Sequence, residues 1–312
     1  MLTTDHNPMQ STKLIAMDQY FDEMVRLYES DSFPRVLLLK GKKGIGKFTL
    51  TFHFLNYIFS KKEKSPYNKE DKLINSNSKF YNSVLKQTCS DVFFLNVTEG
   101  RNIKIDDIRN LTSILSRSSL SSNPRFTIID EVEYLNPNSA NALLKTLEEP
   151  SSSNYFILIN NQQADLIETI SSRCLKNNIY LDSKKQKKII DYFIENKKIN
   201  LKIDDTFNLT PGLFLKYNDL SNKHKIDKNE VIYPKLYKLL HAYKKDKDKA
   251  LINMSLYLID QFFHKIITKN ENKIDYLLNL KSSITNKIND FIVYNLNIKS
   301  VLSFIELKLK NA

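Results

Sequence analysis

The sequence predicts an α/β fold built on a parallel sheet, followed by a region that is helical to the end of the chain. Three observations carry that expectation. Five short apolar segments punctuate roughly the first 180 residues, and most are continuous rather than alternating, as in strands covered on both faces. Amphipathic helical patterns separate them, and alternating strands and helices point to parallel strands joined by crossovers. After about residue 182 the strand signals fade and helical periodicity takes over.

The elements follow in order. Val36–Lys40 is the first strand, and the stretch GKKGIGKFT, Gly41 to Thr49, leads into a helix over Phe48–Ser60. Lys61–Lys79 is polar and charged and reads as a solvated or flexible insertion. Val92–Val97 is the second strand; Ile105, Ile108, Leu111 and Leu115 then share one helix face. Phe126–Asp130 is the third strand. Ala140, Leu143, Leu144 and Leu147 follow at helical spacing, with Asn136 as cap, Pro137 in the first turn and Pro150 as the stop. Tyr155–Asn160 and Asn178–Leu181 complete the strands. A helix begins in SKKQKKIIDYF, LTPGLFLKY contains the next turn, and Leu236, Leu239, Leu240 and Tyr243 exemplify the amphipathic pattern beyond.

Composition narrows the function classes. A net charge of +12 suits an acidic partner such as nucleic acid. It is matched equally by a Lys, Asn and Ile bias along the whole chain, and both readings stand. Two distant cysteines, Cys89 and Cys174, cannot build a four-cysteine zinc site or a disulfide framework, so reduced thiols are expected. MLTTDHNPMQ lacks the features of a secretory signal, and the apolar runs are too short to span a bilayer, so a cytoplasmic location is expected.

The chemistry concentrates in four places. GKKGIGK has P-loop spacing between a strand and a helix. Gly41, Gly44 and Gly46 allow the tight path, backbone N–H groups and the helix N-terminus face phosphate, and Lys47 adds charge. The motif then calls for Ser or Thr, and Phe48 stands there; Thr49 comes one residue late, about 100° around the helix. The apolar strand ending in Asp130 and Glu131 supplies carboxylates that could hold Mg2+ through water and orient an attacking water. Asn160 and Asn161, at the tip of another strand, are either γ-phosphate sensors or a turn-forming pair. Arg173, in ISSRC, is either a surface residue or an arginine directed at phosphate in a neighbouring subunit.

GKKGIGKFT, IKIDDIR, IIDEVEYLNPNSANALLKTLEEPSSSNYFILINN and ISSRC together resemble the clamp-loader branch of the AAA+ proteins. NALLKTLEEP followed by a strand and SRC resembles bacterial DNA polymerase III clamp-loader subunits in particular. The resemblance covers most of residues 14–182 and is looser beyond. It implies an AAA+ P-loop core over 1–182, a small helical lid over 183–224 and an all-α collar domain for oligomerisation over 225–312. Several positions depart from the pattern. Phe48 replaces the metal-binding hydroxyl, the cysteine cluster of the family's zinc module is absent, Ser171 departs from the usual RSRC, and Leu213 stands where ATPase relatives often carry a sensor arginine. Arg173 is kept.

Losing catalytic parts while keeping the trans-acting arginine resembles the delta-prime type of subunit. The resemblance then implies a stator and arginine-finger donor with weak or no ATPase of its own, with ATP/Mg2+ bound weakly and no zinc. Its partners would be gamma/tau and delta subunits in a hetero-oligomer, and the sliding clamp and primed DNA through that complex. A gamma/tau-type ATPase and another AAA+ DNA-processing factor are the alternatives.

Overall fold

The structure, a computed structural model, describes residues 7–96, 105–116, 123–197, 209–227 and 229–310. The chain divides into two compact units, Met1–Lys198 with Thr210–Leu213, and Ile199–Leu209 with Phe214–Ala312.

The first unit runs α1 (Asp18–Glu29), β1 (Val36–Lys40), α2 (Lys47–Ser60), α3 (Lys79–Leu85), β2 (Val92–Asn96), α4 (Ile105–Leu115), β3 (Arg125–Asp130), α5 (Pro137–Glu148), β4 (Asn154–Asn160), α6 (Glu168–Ser171), β5 (Leu175–Asn178) and α7 (Ser183–Lys197). The five strands form one sheet in the order β2-β3-β4-β1-β5, with every neighbouring pair parallel. Continuous apolar runs are required because both faces are covered. Leu37 and Leu39 of β1 join a core with Phe21 of α1 and Leu50 and Phe54 of α2. Val36 and Leu38 point the other way, into a core with Ile108 and Leu111 of α4 and Leu143 and Leu147 of α5. Each such side chain removed from water contributes roughly 1.5–3 kcal/mol. The register pairs Lys40 with Asn160 and Asp130 with Ile159, so β1, β3 and β4 end along one edge. That edge, at the carboxyl ends of the strands, is where α/β sheets offer a binding crevice.

One expectation is corrected and another refined. The fifth strand lies at Leu175–Asn178 rather than Asn178–Leu181. It is an edge strand with β1 as its one neighbour, so its side chains are mostly exposed and polar. Ile179 and Leu181 gave the apolar signal because they are buried as the chain leaves the sheet.

The segment Lys61–Lys79 is exposed over most of its length, as expected of a solvated insertion, but it is anchored, since Tyr67, Ile74 and Ser78 are buried. His53 of α2, fully buried, sits between Tyr67 Oη and the Ser11 carbonyl, each at 2.9 Å. The Leu14 N–H donates to the Lys72 carbonyl (3.0 Å), and the Ile74 N–H donates to the Thr12 carbonyl (2.8 Å). The insertion is thereby laced to α2 and to the segment before α1. Val97, expected to end β2, lies outside the described residues.

In the second unit, α8 (Pro211–Lys223, of which Phe214 onward belongs here) precedes α9 (Ile232–Asp246), α10 (Lys249–Ile267), α11 (Ile274–Val293) and α12 (Ile298–Lys310). α9 packs on α10 and α12, and α11 packs on α10 and α12. Leu236, Leu239, Leu240 and Tyr243 form the buried stripe of α9, as their spacing predicts. Among the described residues, no helix is long and apolar enough to cross a membrane.

Candidate functional site

The glycine loop leaves β1 at the crevice edge, where the Gly41 N–H donates to the Asn160 carbonyl at 3.2 Å. Gly44 (φ 82°) and Gly46 (φ 100°) take left-handed conformations that favour glycine. Gly46 caps α2 without any side-chain hydrogen bond, so the first N–H groups of the helix are left for an anion. Lys47 is buried, and its Nζ donates to the carbonyls of Gly41 (2.7 Å) and Lys42 (2.8 Å). Burial pushes its pKa down to about 8, against the opposing pull of Asp130 and Glu133, so it remains largely protonated at neutral pH.

Thr210 and Gly212 clasp the loop from its other side. Thr210 Oγ1 donates to the Lys43 carbonyl (2.7 Å), and the Gly212 N–H donates to the Gly44 carbonyl (2.8 Å). A Cβ on Gly212 would come within 2.8 Å of the Gly44 Cα, so the close approach requires glycine there. Sequence reasoning found this turn without its role, because only the proximity of the two loops reveals it.

β3 delivers the acids. Asp130 Oδ1 accepts from the Glu131 N–H (2.8 Å) and from Asn161 Nδ2 (3.1 Å). Burial first, then the neighbouring Glu131 charge, push the Asp130 carboxyl up to about 6. Glu131 adopts a left-handed backbone (φ 57°) and pairs with Lys43 at 2.5 Å, while its buried Oε2 has no hydrogen-bond partner. The two asparagines make different contacts. Asn160 Oδ1 accepts from the Gln162 N–H (2.8 Å) and shapes the turn, whereas Asn161 reaches the strand-end acid.

Glu133 was missed by sequence reasoning. It is buried, and its Oε1 accepts from the backbone N–H groups of Asn161 (2.9 Å) and Gln163 (3.4 Å), fixing the tip of β4. Its place two residues beyond Asp130-Glu131 was the available signal.

The ring of Phe48 packs against Phe94 of β2, centroids 5.7 Å apart, and joins the edge of the core. Thr49 beside it is half-buried. The loop, the start of α2 and Lys47 therefore fit a phosphate group, with Asp130, Glu131 and Asn161 across from it. The metal half of the site fits less well, because an aromatic contact replaces the hydroxyl ligand.

Arg173 does not join this group. It precedes β5, which begins at Leu175 in register with Leu37, whereas the glycine loop follows Lys40. Three residues of strand already separate the two levels by about 10 Å, and Arg173 lies beyond the far one. Its Nε donates to Glu148 Oε1 (2.7 Å) and its Nη2 donates to the same oxygen. Its Nη1 donates to the Thr169 carbonyl (2.8 Å) and lies 3.3 Å from Ser172 Oγ. Cys174 beside it is unpaired and its thiol is pushed up to about 11 by burial, so it stays protonated; Cys89 is also free.

A five-stranded parallel sheet with a glycine loop after its first strand, paired acids at a neighbouring strand end and an asparagine beside them defines a P-loop type of α/β domain. Within that class, residues 17–182 match the family model described as DNA polymerase III, delta subunit, just over half of the chain. The chain belongs to that family, within the AAA+ clamp loaders.

It is similar to DNA polymerase III subunit delta' of Pseudomonas aeruginosa, 36% identical over 90 residues covering 28% of this chain and 27% of the relative. It is also similar to subunit delta' of Buchnera aphidicola subsp. Schizaphis graminum, 26% identical over 234 residues, 73% of this chain and 66% of the relative. Subunit gamma of that same Buchnera is 37% identical over 90 residues, 29% of this chain and 24% of the relative. The chain thus spans about a quarter of the length of the first of these relatives and just under two thirds of the second. Among solved structures, a gamma subunit-related protein of Thermotoga maritima matches with TM-score 0.47 and 20% identity, covering 92% of this chain and 99% of that one.

Proposed function

We propose that the chain acts as a delta-prime-type subunit of a DNA polymerase III clamp loader. In this reading it assembles with gamma/tau and delta subunits and helps load a sliding clamp onto primed DNA. It serves as stator and as donor of Arg173 to ATP held by an adjacent gamma/tau subunit. The observation that carries the reading is the separation of chemistry within one unit. Arg173 sits beyond the opposite end of the sheet from the chain's own glycine loop, where Phe48 packs on Phe94 in place of a metal-binding hydroxyl. An arginine so placed serves a neighbour's phosphates better than its own, and trans-acting arginines supply on the order of 10³–10⁵ in rate. Nucleotide bound at this chain's own loop would supply phosphate for the backbone N–H groups and Lys47. Gly41, Gly44, Gly46, Lys47, Thr49, Asp130, Glu131 and Asn161 are the residues that would surround it.

The test is reconstitution with gamma/tau and delta subunits, followed by DNA-stimulated ATP turnover. Arg173→Ala is expected to lower turnover at least a hundredfold at the affected site while the complex still assembles. Turnover equal to that of the unaltered complex would overturn the arginine assignment.

A second reading, a gamma-type ATPase, has one observation in its favour: Lys47, Asp130, Glu131 and Asn161 are all retained around one crevice. Mg2+-dependent turnover by the isolated chain would favour it.

A further inference from the structure

Arg173 is already held by its own chain, and the hold has a direction. Glu148 takes the side edge of the guanidinium, with one carboxylate oxygen accepting from both Nε and Nη2. Thr169 and Ser172 occupy Nη1, the latter at 3.3 Å. A guanidinium has five N–H donors in a rigid plane. With the Nε edge captured by Glu148 and Nη1 occupied by Thr169 and Ser172, the one donor left is the second Nη2 N–H, which faces away from Glu148.

Glu148 is also an odd residue for its place. It is the last residue of α5, where the helix dipole disfavours a carboxylate. Nearly half of its side chain is exposed, so no core packing calls for it. The backbones that carry the pair are fixed, because Leu143 and Leu147 of α5 and Ile170 of α6 are buried in one cluster.

We infer that Glu148 is a positioning residue for Arg173: it grips the guanidinium side-on so that the remaining Nη2 N–H and the charge behind it are presented to a phosphate group held by a neighbouring subunit. The inference rests on the proposed role of Arg173. A surface pair of this kind adds little stability on its own. Its value lies in orientation, since an arginine that must find its angle at each turnover loses rate rather than substrate affinity.

The experiment uses the full chain reconstituted with gamma/tau and delta subunits, comparing Glu148→Ala, Glu148→Gln, Arg173→Ala and the Glu148→Ala/Arg173→Ala double variant. Glu148→Ala is expected to lower kcat for ATP roughly tenfold, with KM for ATP within about twofold and co-purification unchanged. Glu148→Gln, which keeps the oxygen acceptor, should recover part of that loss. The double variant should turn over no more slowly than Arg173→Ala alone, as expected of two residues acting as one unit.

If Arg173→Ala is impaired but both Glu148 variants match the unaltered chain, the Glu148 assignment fails while the arginine role stands. The assignment fails likewise if the double variant is slower than Arg173→Ala by the full Glu148→Ala factor. If Glu148→Ala does not assemble, Glu148→Gln decides: a lowered kcat at unchanged KM supports the assignment, and an unchanged kcat overturns it. Normal turnover by Arg173→Ala removes the arginine role, and with it the inference.

Discussion

Asp130 is held in an environment that resists its charge. Burial and the adjacent Glu131 outweigh the help from the Glu131 N–H, Asn161 and Lys47, so its carboxyl titrates near 6 instead of in the ordinary carboxylate range. The folded chain therefore keeps this proton over a pH range in which the unfolded chain has lost it. Folding is opposed progressively as pH rises from about 4 to about 6, and the full opposition persists above. Asp130→Asn removes the charge and keeps an oxygen for the same two donors. The variant is expected to be more stable than the unaltered protein by on the order of 2–3 kcal/mol at pH 7.5 and to have no such advantage at pH 4. Denaturant unfolding at the two pH values measures this, and an equal effect at both would show that Asp130 carries no raised pKa.

Elements differ in how far their sequences disclose them, and burial is the reason. β1, β3 and β4 are covered on both faces, so their apolar runs mark them to within a residue. β5 has a single neighbour and an exposed, polar sequence, so the apolar residues just beyond it drew the expectation instead. In the crevice, the glycines, Lys47, Asp130 and Asn161 were legible because each is a residue type the chemistry needs at a strand end. Glu133 and the Thr210–Gly212 clasp were not, since their roles exist only through contacts distant in sequence.

The insertion after α2 is solvated over most of its length, as its polar composition indicates, yet a few buried residues and one histidine anchor it in a way the composition does not disclose. The Ser11 carbonyl can only accept, so His53 donates from Nε2 and its bare Nδ1 accepts from Tyr67. Protonation would set a second N–H against the Tyr67 hydroxyl in a fully buried place, and burial lowers the His53 pKa to about 4. The unfolded chain binds this proton near pH 6.5 and the folded chain does not, so stability is lost as pH falls from about 6.5 to about 4. The expected loss is on the order of 3 kcal/mol. Against a His53→Gln background that component of the pH dependence should vanish, whatever the variant's absolute stability. Parallel slopes for the two proteins over that interval would rule it out.

At the scale of the whole molecule, the excess charge of +12 is carried almost entirely by lysine, with only seven arginines in the chain. Lysine is a strongly hydrated point charge on a flexible stem, suited to diffuse attraction to phosphate rather than to bidentate reading of a base edge. If the proposed clamp-loader role brings the chain to DNA, that distribution suits contact with the DNA backbone rather than sequence recognition. The full chain is therefore expected to bind mixed-sequence duplexes weakly and alike. Its association constant should fall linearly with salt on a log–log scale, with a slope of about −0.9 for each phosphate neutralised. Fluorescence anisotropy titrations from about 50 to 200 mM salt with two unrelated duplexes would check both features. A strong preference between the duplexes, or affinity insensitive to salt, would mean that the positive charge reflects a composition shared along the chain and not a surface for DNA. The arginines are scarce enough for the contrast to be tested directly. Arg173→Ala removes one unit of charge from +12 and should leave the salt slope changed by at most about one, even if it lowers ATP turnover in the assembled complex as proposed.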